Sequence, residues 1–254
     1  MNTTTTVEIN CDMGEGFGLY KLGDDQALLP YIDVANVACG FHASDPTIMR
    51  RIVGQAKEAG VRVGAHPSLP DLQGFGRREM KIAAQDLTAL VLYQVGALSG
   101  FLRAEGMALN HIKPHGALYG MAAKDERIAG AICDVAEIFG VPLMGSRGTL
   151  HEEVCRLRGI PLIAEFYIDL DYSGAGELII TQTHDARDPE QAAARALRAI
   201  ESHRVRSTDG ADLPIQAQSL CIHSDTPNAV EIARAVVRAL RPHLATKAGR
   251  FPMG

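Results

Sequence analysis

Seven short runs of apolar and β-branched residues recur along this chain, separated by longer stretches with the apolar period of helices. They are Val7 to Cys11, Val34 to Cys39, Val61 to Ala65, Ala108 to Ile112, Val141 to Met144, Leu162 to Ile168 and Ser219 to Ile222. Strands joined through helices pair in parallel, because a short turn cannot return the chain to the same end of a sheet. Residues 46 to 59 read as one such helix, with Asp45 as its cap and Pro46 at its first position. A second spans residues 82 to 105, where Leu87, Val91, Val95, Leu98 and Leu102 line one face. The alanine-rich segment from Asp188 to His203 is a third, and Pro227 to Leu240, behind a candidate cap at Thr226, is a fourth.

Seven strands in 254 residues suit either an open doubly wound sheet or a closed β/α barrel. The polar residues separate the two. Asp12, His42, His66, His115, Asp169 and His223 each stand at or just after the carboxyl end of a different run. A barrel gathers those loops at one rim, whereas an open sheet concentrates its site at one switch point. The pattern predicts an α/β fold, a seven-stranded β/α barrel. No linker, low-complexity tract or fixed-period repeat interrupts it, so a single domain over residues 1–254 is expected.

Composition narrows the partners. A formal charge of −5, no tryptophan and only 5% aromatic residues give no basis for binding nucleic acid or an anionic membrane. No apolar run reaches the roughly 18 residues needed to cross a bilayer, and "MNTTTTVEIN" has neither the basic start nor the apolar middle of a secretory signal. A cytoplasmic location is the expectation, and a homo-oligomer is compatible with it. The five cysteines, Cys11, Cys39, Cys133, Cys155 and Cys221, are odd in number and never in CxxC spacing, which argues against a disulfide framework or structural zinc. Cys11, Cys39 and Cys221 adjoin polar segments, as a nucleophile would, but burial in a strand is the commoner use of a thiol.

Five segments carry chemistry. "NCDMGEGFG" sets Asp12 and Glu15 among glycines at a strand end, as bases, cation ligands or merely solvated turn acids, and no GK[ST] follows to make it a phosphate loop. "ANVACGFHASDP" offers His42 and Asp45, and "GAHPSLPDLQGFGRR" offers His66 with Arg77 and Arg78, which suit a carboxylate or phosphate. "CIHSDTP" presents His223 and Asp225. In "HIKPHGALYG", His111 and Lys113 alternate on one face of a strand that Pro114 ends, sending His115 into the rim. Lys113 and His115 are the expected functional pair, with an anionic substrate offsetting the clustered positive charge and His111 orienting Lys113. Each segment has a structural explanation alone; several histidines delivered to one rim point to a site.

In this order, with "INCDMGEGFG" at the start, the five segments resemble the signature blocks of the LamB/YcsF family. The resemblance implies a barrel of the glycoside hydrolase/deacetylase type. It also implies ATP-dependent opening of the lactam 5-oxo-L-proline to L-glutamate, together with two further subunits of B and C type. Such a reaction needs a base for water, an acid for the departing nitrogen, and cations facing the substrate carboxylate and the oxyanion. Asp12, His42, His66 and His115 are candidates for the proton transfers, and Lys113 with Arg77 or Arg78 for the positive charge. Glu15, Asp45, Glu165, Asp169, His223 and Asp225 complete the expected substrate-binding set. Where the family carries "E-x-F-A-D-R-x-Y" and then "DG-x-L-x-P-R", this chain reads "EFYIDLDYSGAGELIITQT", with Leu170 and Thr181 at the arginine positions; Ser44 and Ser224 replace glycines and Gly120 an asparagine. Three alternatives follow: a paralogue acting on another lactam or cyclic amide; an amide or acetyl hydrolase using a divalent metal held by Asp12, His42 and His66, by analogy with deacetylase barrels; and a non-catalytic regulatory protein of the same complex.

Overall fold

In the computed structural model, residues 6–181 and 183–244 are described; positions 1–5 of the stretch weighed for a secretory signal lie outside them. Seven parallel strands close into a barrel: β1 (Glu8–Met13), β2 (Val34–Ala38), β3 (Arg62–His66), β4 (Leu109–Ile112), β5 (Leu143–Gly145), β6 (Leu162–Tyr167) and, last in the chain, β9 (Ser219–His223), which pairs with both β6 and β1. All seven expected strands are present. A two-stranded antiparallel hairpin, β7 (Arg204–Arg206) with β8 (Asp212–Pro214), stands apart from the barrel.

The helices are α1 (Asp25–Leu28), α2 (Pro46–Ala59), α3 (Ala84–Ala104), α4 (Gly116–Ala122), α5 (Glu126–Phe139), α6 (Leu150–Arg158), α7 (Pro189–Glu201) and α8 (Ala229–Leu240). As expected, Asp45 caps α2 by accepting from the amides of Thr47 and Ile48, and Gly60 ends it in a left-handed turn. Among the described helices α3 alone is long and apolar enough to span a membrane, yet Leu87, Val91, Val95, Leu98 and Leu102 are buried in the core shared by the barrel wall and its helices. The expected start of α8 is corrected: the helix begins at Ala229, and Thr226 is no cap. Its hydroxyl donates to Asp169 Oδ2 at 3.2 Å, three residues before the helix begins.

Alternate residues of each strand point into the barrel. Asn10, Asn36, His111 and Ser219 meet there, all with no exposed surface. His111 fits because β3 carries Gly64 opposite it; a Cβ at that position would overlap the imidazole ring. Beyond the end of β4 the chain still runs along β3, with the Lys113 amide bonded to Ala65 O at 2.8 Å and the His115 amide to Pro67 O at 2.9 Å. Lys113 therefore enters the barrel and His115 reaches the rim.

Candidate active site

A thread of hydrogen bonds climbs the barrel interior to Asp12 at the end of β1. Asn10 Nδ2 donates to Ser219 Oγ at 2.7 Å, and Asn36 Nδ2 donates to Asn10 Oδ1 and Asp12 Oδ1, each at 2.7 Å. Asn36 Oδ1 lies 2.8 Å from His111 Nε2, so His111 acts on Asp12 through Asn36 and does not orient Lys113, the role its place in the strand suggests. Burial holds the His111 ring down to about 3, with the Lys113 charge adding to the effect, so it is the neutral donor in this chain of bonds.

Lys113 Nζ is 2.8 Å from Asp12 Oδ1, 2.8 Å from Glu165 Oε1 and 3.1 Å from Cys221 Sγ. Desolvation disfavours its charge, but the two carboxylates more than offset that and hold its ammonium well above the usual range. The repulsion expected among His111, Lys113 and His115 is eased within the protein: His111 and His115 are neutral, and Lys113 lies against the Asp12 and Glu165 side chains.

Around the rim, Glu15, His42, His66 and His115 place one ligand-type atom each within 4.8 Å of the others. His66 Nε2 is 3.1 Å from Asp12 Oδ2 and 2.9 Å from His115 Nδ1. His42 Nε2 is 3.3 Å from Glu15 Oε1, and its ring stacks on that of His115 with centroids 3.8 Å apart. Burial pushes His42 and His115 well below the ordinary histidine range, so both are neutral, and burial together with Asp225 and Asp12 pushes the Glu15 carboxyl well up. The metal set expected from sequence, Asp12 with His42 and His66, spans two clusters of ligand-type atoms, Asp12 with Cys221 and His223, and His42 and His66 with Glu15 and His115, with His66 Nε2 touching Asp12 Oδ2 at 3.1 Å.

On the far side, His223 Nδ1 is 2.8 Å from Asp169 Oδ1, and its Nε2 is 3.6 Å from Asp12 Oδ2. Burial works against its charge, but Asp169 raises it above the usual value and keeps an imidazolium facing Asp12. Asp225 is held between Arg77 Nη2 at 2.8 Å and His184 Nδ1 at 2.9 Å. Despite desolvation, those partners hold its carboxyl well below the ordinary range. These groups border a narrow pocket lined by Asp12, His66, His115 and His223, by Arg77 and His184, and by an apolar wall of Leu170, Leu178 and Ile180.

Eleven of the residues singled out from sequence lie in this assembly: Asp12, Glu15, His42, His66, Arg77, Lys113, His115, Glu165, Asp169, His223 and Asp225. Two lie elsewhere. Asp45 caps α2 and accepts from the Gly18 amide at 2.9 Å, and Arg78 turns outward to pair with Asp71. Leu170 faces the pocket, whereas Thr181 is exposed and bonds to Thr183 O. Sequence reasoning missed His184, which follows no strand run and belongs to no motif. It missed Asn36 as well, although an asparagine inside an otherwise apolar strand is a readable signal.

A sequence model of the LamB/YcsF family matches residues 7–249. The lactam utilization protein lamB of Emericella nidulans is 45% identical over 236 residues, covering 91% of this chain and 93% of that protein. The A-type subunit of 5-oxoprolinase from Thermus thermophilus is 45% identical over 238 residues, covering 92% and 95%. A crystal structure of the lactam utilization protein from Thermus thermophilus superposes with a TM-score of 0.87 at 43% identity, covering 94% of this chain and 97% of that one.

Proposed function

The chain belongs to the LamB/YcsF family, and on that basis we propose that it is the lactam-opening, A-type subunit of an ATP-dependent 5-oxoprolinase, working with subunits of B and C type. The names of its relatives support the reaction and the multi-subunit assembly. Five free cysteines, all buried, suit the reducing cytoplasm as its location.

A five-membered lactam is a stable amide whose nitrogen leaves poorly. ATP would supply a phosphoryl group that makes the carbonyl carbon electrophilic, leaving ADP; water then adds to that carbon and the C–N bond breaks to give an acyl phosphate, which a second water hydrolyses to the free carboxylate and phosphate. In this chain Asp12 accepts the proton from the attacking water. Lys113 and the hydrogen bond from Asn36 fix its carboxylate. His223, kept protonated by Asp169, delivers a proton to the departing nitrogen. Arg77 and His184, already gathered on Asp225, face the substrate carboxylate.

The observation that carries this reading is the pairing of Asp12 with His223 at 3.6 Å on the pocket wall, one also paired with an ammonium and the other with a carboxylate. An acid and a base set apart by their own partners are what a hydrolytic amide opening requires. Co-expression with the B- and C-type subunits, followed by an assay of 5-oxoproline-stimulated ATP hydrolysis and glutamate release, tests it. Asp12→Asn and His223→Gln should abolish glutamate release while the complex still assembles; retained turnover would instead support a regulatory role.

A second reading, action on a different lactam, is favoured by the apolar wall of Leu170, Leu178 and Ile180. Stimulation by an apolar-substituted lactam but not by 5-oxoproline would select it.

A further inference from the structure

Two imidazole nitrogens at the pocket face each other in a way that neutral rings cannot satisfy. His66 Nδ1 lies 2.8 Å from the main-chain oxygen of Lys113, and His115 Nε2 lies 2.8 Å from that of Phe75. A carbonyl oxygen only accepts, so each of these nitrogens carries its ring's proton. In two neutral rings that leaves His66 Nε2 and His115 Nδ1, 2.9 Å apart, presenting lone pairs to one another, with Asp12 Oδ2 also 3.1 Å from His66 Nε2. Glu15 Oε1 sits 3.4 Å from the same His115 nitrogen, and Glu15 Oε2 is buried with no hydrogen-bond partner.

We propose that His66 Nε2, His115 Nδ1 and Glu15 Oε1 bind a divalent transition-metal ion of the zinc or cobalt class. A tetrahedral ion with bonds of about 2.0–2.1 Å holds its ligands roughly 3.3 Å apart, close to the separations seen here. Both histidines donate their other N–H to a main-chain carbonyl, the arrangement that orients ligating imidazoles. His42 is not a fourth ligand. Its ring is parallel to that of His115 within 7°, and two stacked rings cannot both direct in-plane lone pairs at one ion. It instead donates from Nε2 to Glu15 Oε1 at 3.3 Å, holding the carboxylate in place. His66 and His115 both border the pocket, so an open coordination position would face the space where substrate binds. The rival that the ion would displace is a proton on His66 Nε2, which lies 3.1 Å from Asp12 Oδ2 and 2.9 Å from His115 Nδ1.

This inference does not rest on the lactam reaction, and its test uses no substrate. The purified full chain is loaded with zinc or with cobalt(II), dialysed and analysed for metal, and the visible spectrum of the cobalt form is recorded. One ion per chain is expected, with the intense absorption of four-coordinate cobalt. His66→Ala, His115→Ala and Glu15→Ala should each lower retention at least tenfold, with His42→Ala weakening it less, in variants whose melting curves show a folded chain. A folded chain that retains neither metal overturns the proposal, as does a strongly deshielded proton coupled to both ring nitrogens by NMR, which would identify a shared proton. Binding that persists in all three ligand variants also overturns it.

Discussion

Lys113 Nζ lies 2.8 Å from Asp12 Oδ1 and the same distance from Glu165 Oε1, and all three side chains are almost wholly buried. One ammonium thus compensates two carboxylates in the barrel interior. Removing it strands both. Lys113→Met should destabilise the fold by about 3–5 kcal/mol, lowering the melting temperature by roughly 10 °C. Adding Glu165→Gln to that variant should restore part of the stability, measured by thermal or urea unfolding, without restoring turnover.

Asp169 governs the acid limb of the proposed reaction. It raises the His223 pKa, so the imidazolium persists at pH values where an ordinary histidine is neutral, and activity is lost as pH rises through the folded-state value. In Asp169→Asn that alkaline limb should move to lower pH, and kcat should fall by roughly 10² at neutral pH. An unchanged pH profile of kcat/KM would remove His223 from the role.

Arg77 pairs with Asp225 at 2.8 Å while its side chain borders the pocket. Replacing it with alanine should raise KM for a lactam carboxylate by on the order of tenfold or more, with a smaller effect on kcat. Arg77→Lys, which keeps the charge but loses the fork, should fall between.

Asp25 offers a stability test remote from turnover. Burial pushes its carboxyl up to about 6, against the opposing bond from the Gly14 amide. A carboxyl with a folded-state pKa above the unfolded value stabilises most at low pH, and that contribution is lost as pH rises from about 4 to about 6, on the order of 3 kcal/mol. Asp25→Asn should flatten this part of the stability curve. Its unfolding free energy relative to the parent should be larger, meaning more stable, at pH 7.5 than at pH 4.5, measured by urea denaturation.

Strand periodicity and the polar residues closing each run made the barrel and its rim legible, because parallel strands are buried on both faces and any polar residue at their ends stands out. The division of the rim into partners was not legible. His42 and Asp12 both follow strand ends, yet β1 and β2 lie side by side with Asp12 aimed inward at Lys113 and His42 turned toward Glu15. His184 comes to Asp225 only through the packing of an irregular segment. The helices α5 and α6 were not anticipated, although Asp125 with Gly140, and Thr149 with Gly159, bracket them as start and stop signals. Thr226 had a suitable cap residue type, but the helix starts three residues later, with Asn228 at the cap position.

In barrels of this construction the carboxyl ends of the strands hold the chemistry, and the opposite ends hold the molecule together. The thread from Ser219 through Asn10 and Asn36 to Asp12 erases that division of labour. A substitution at Ser219, near the foot of β9, would be heard at the mouth. Random mutagenesis of this protein should therefore recover inactive yet stable variants from the barrel floor, where surveys of such folds would look only for unfolded ones.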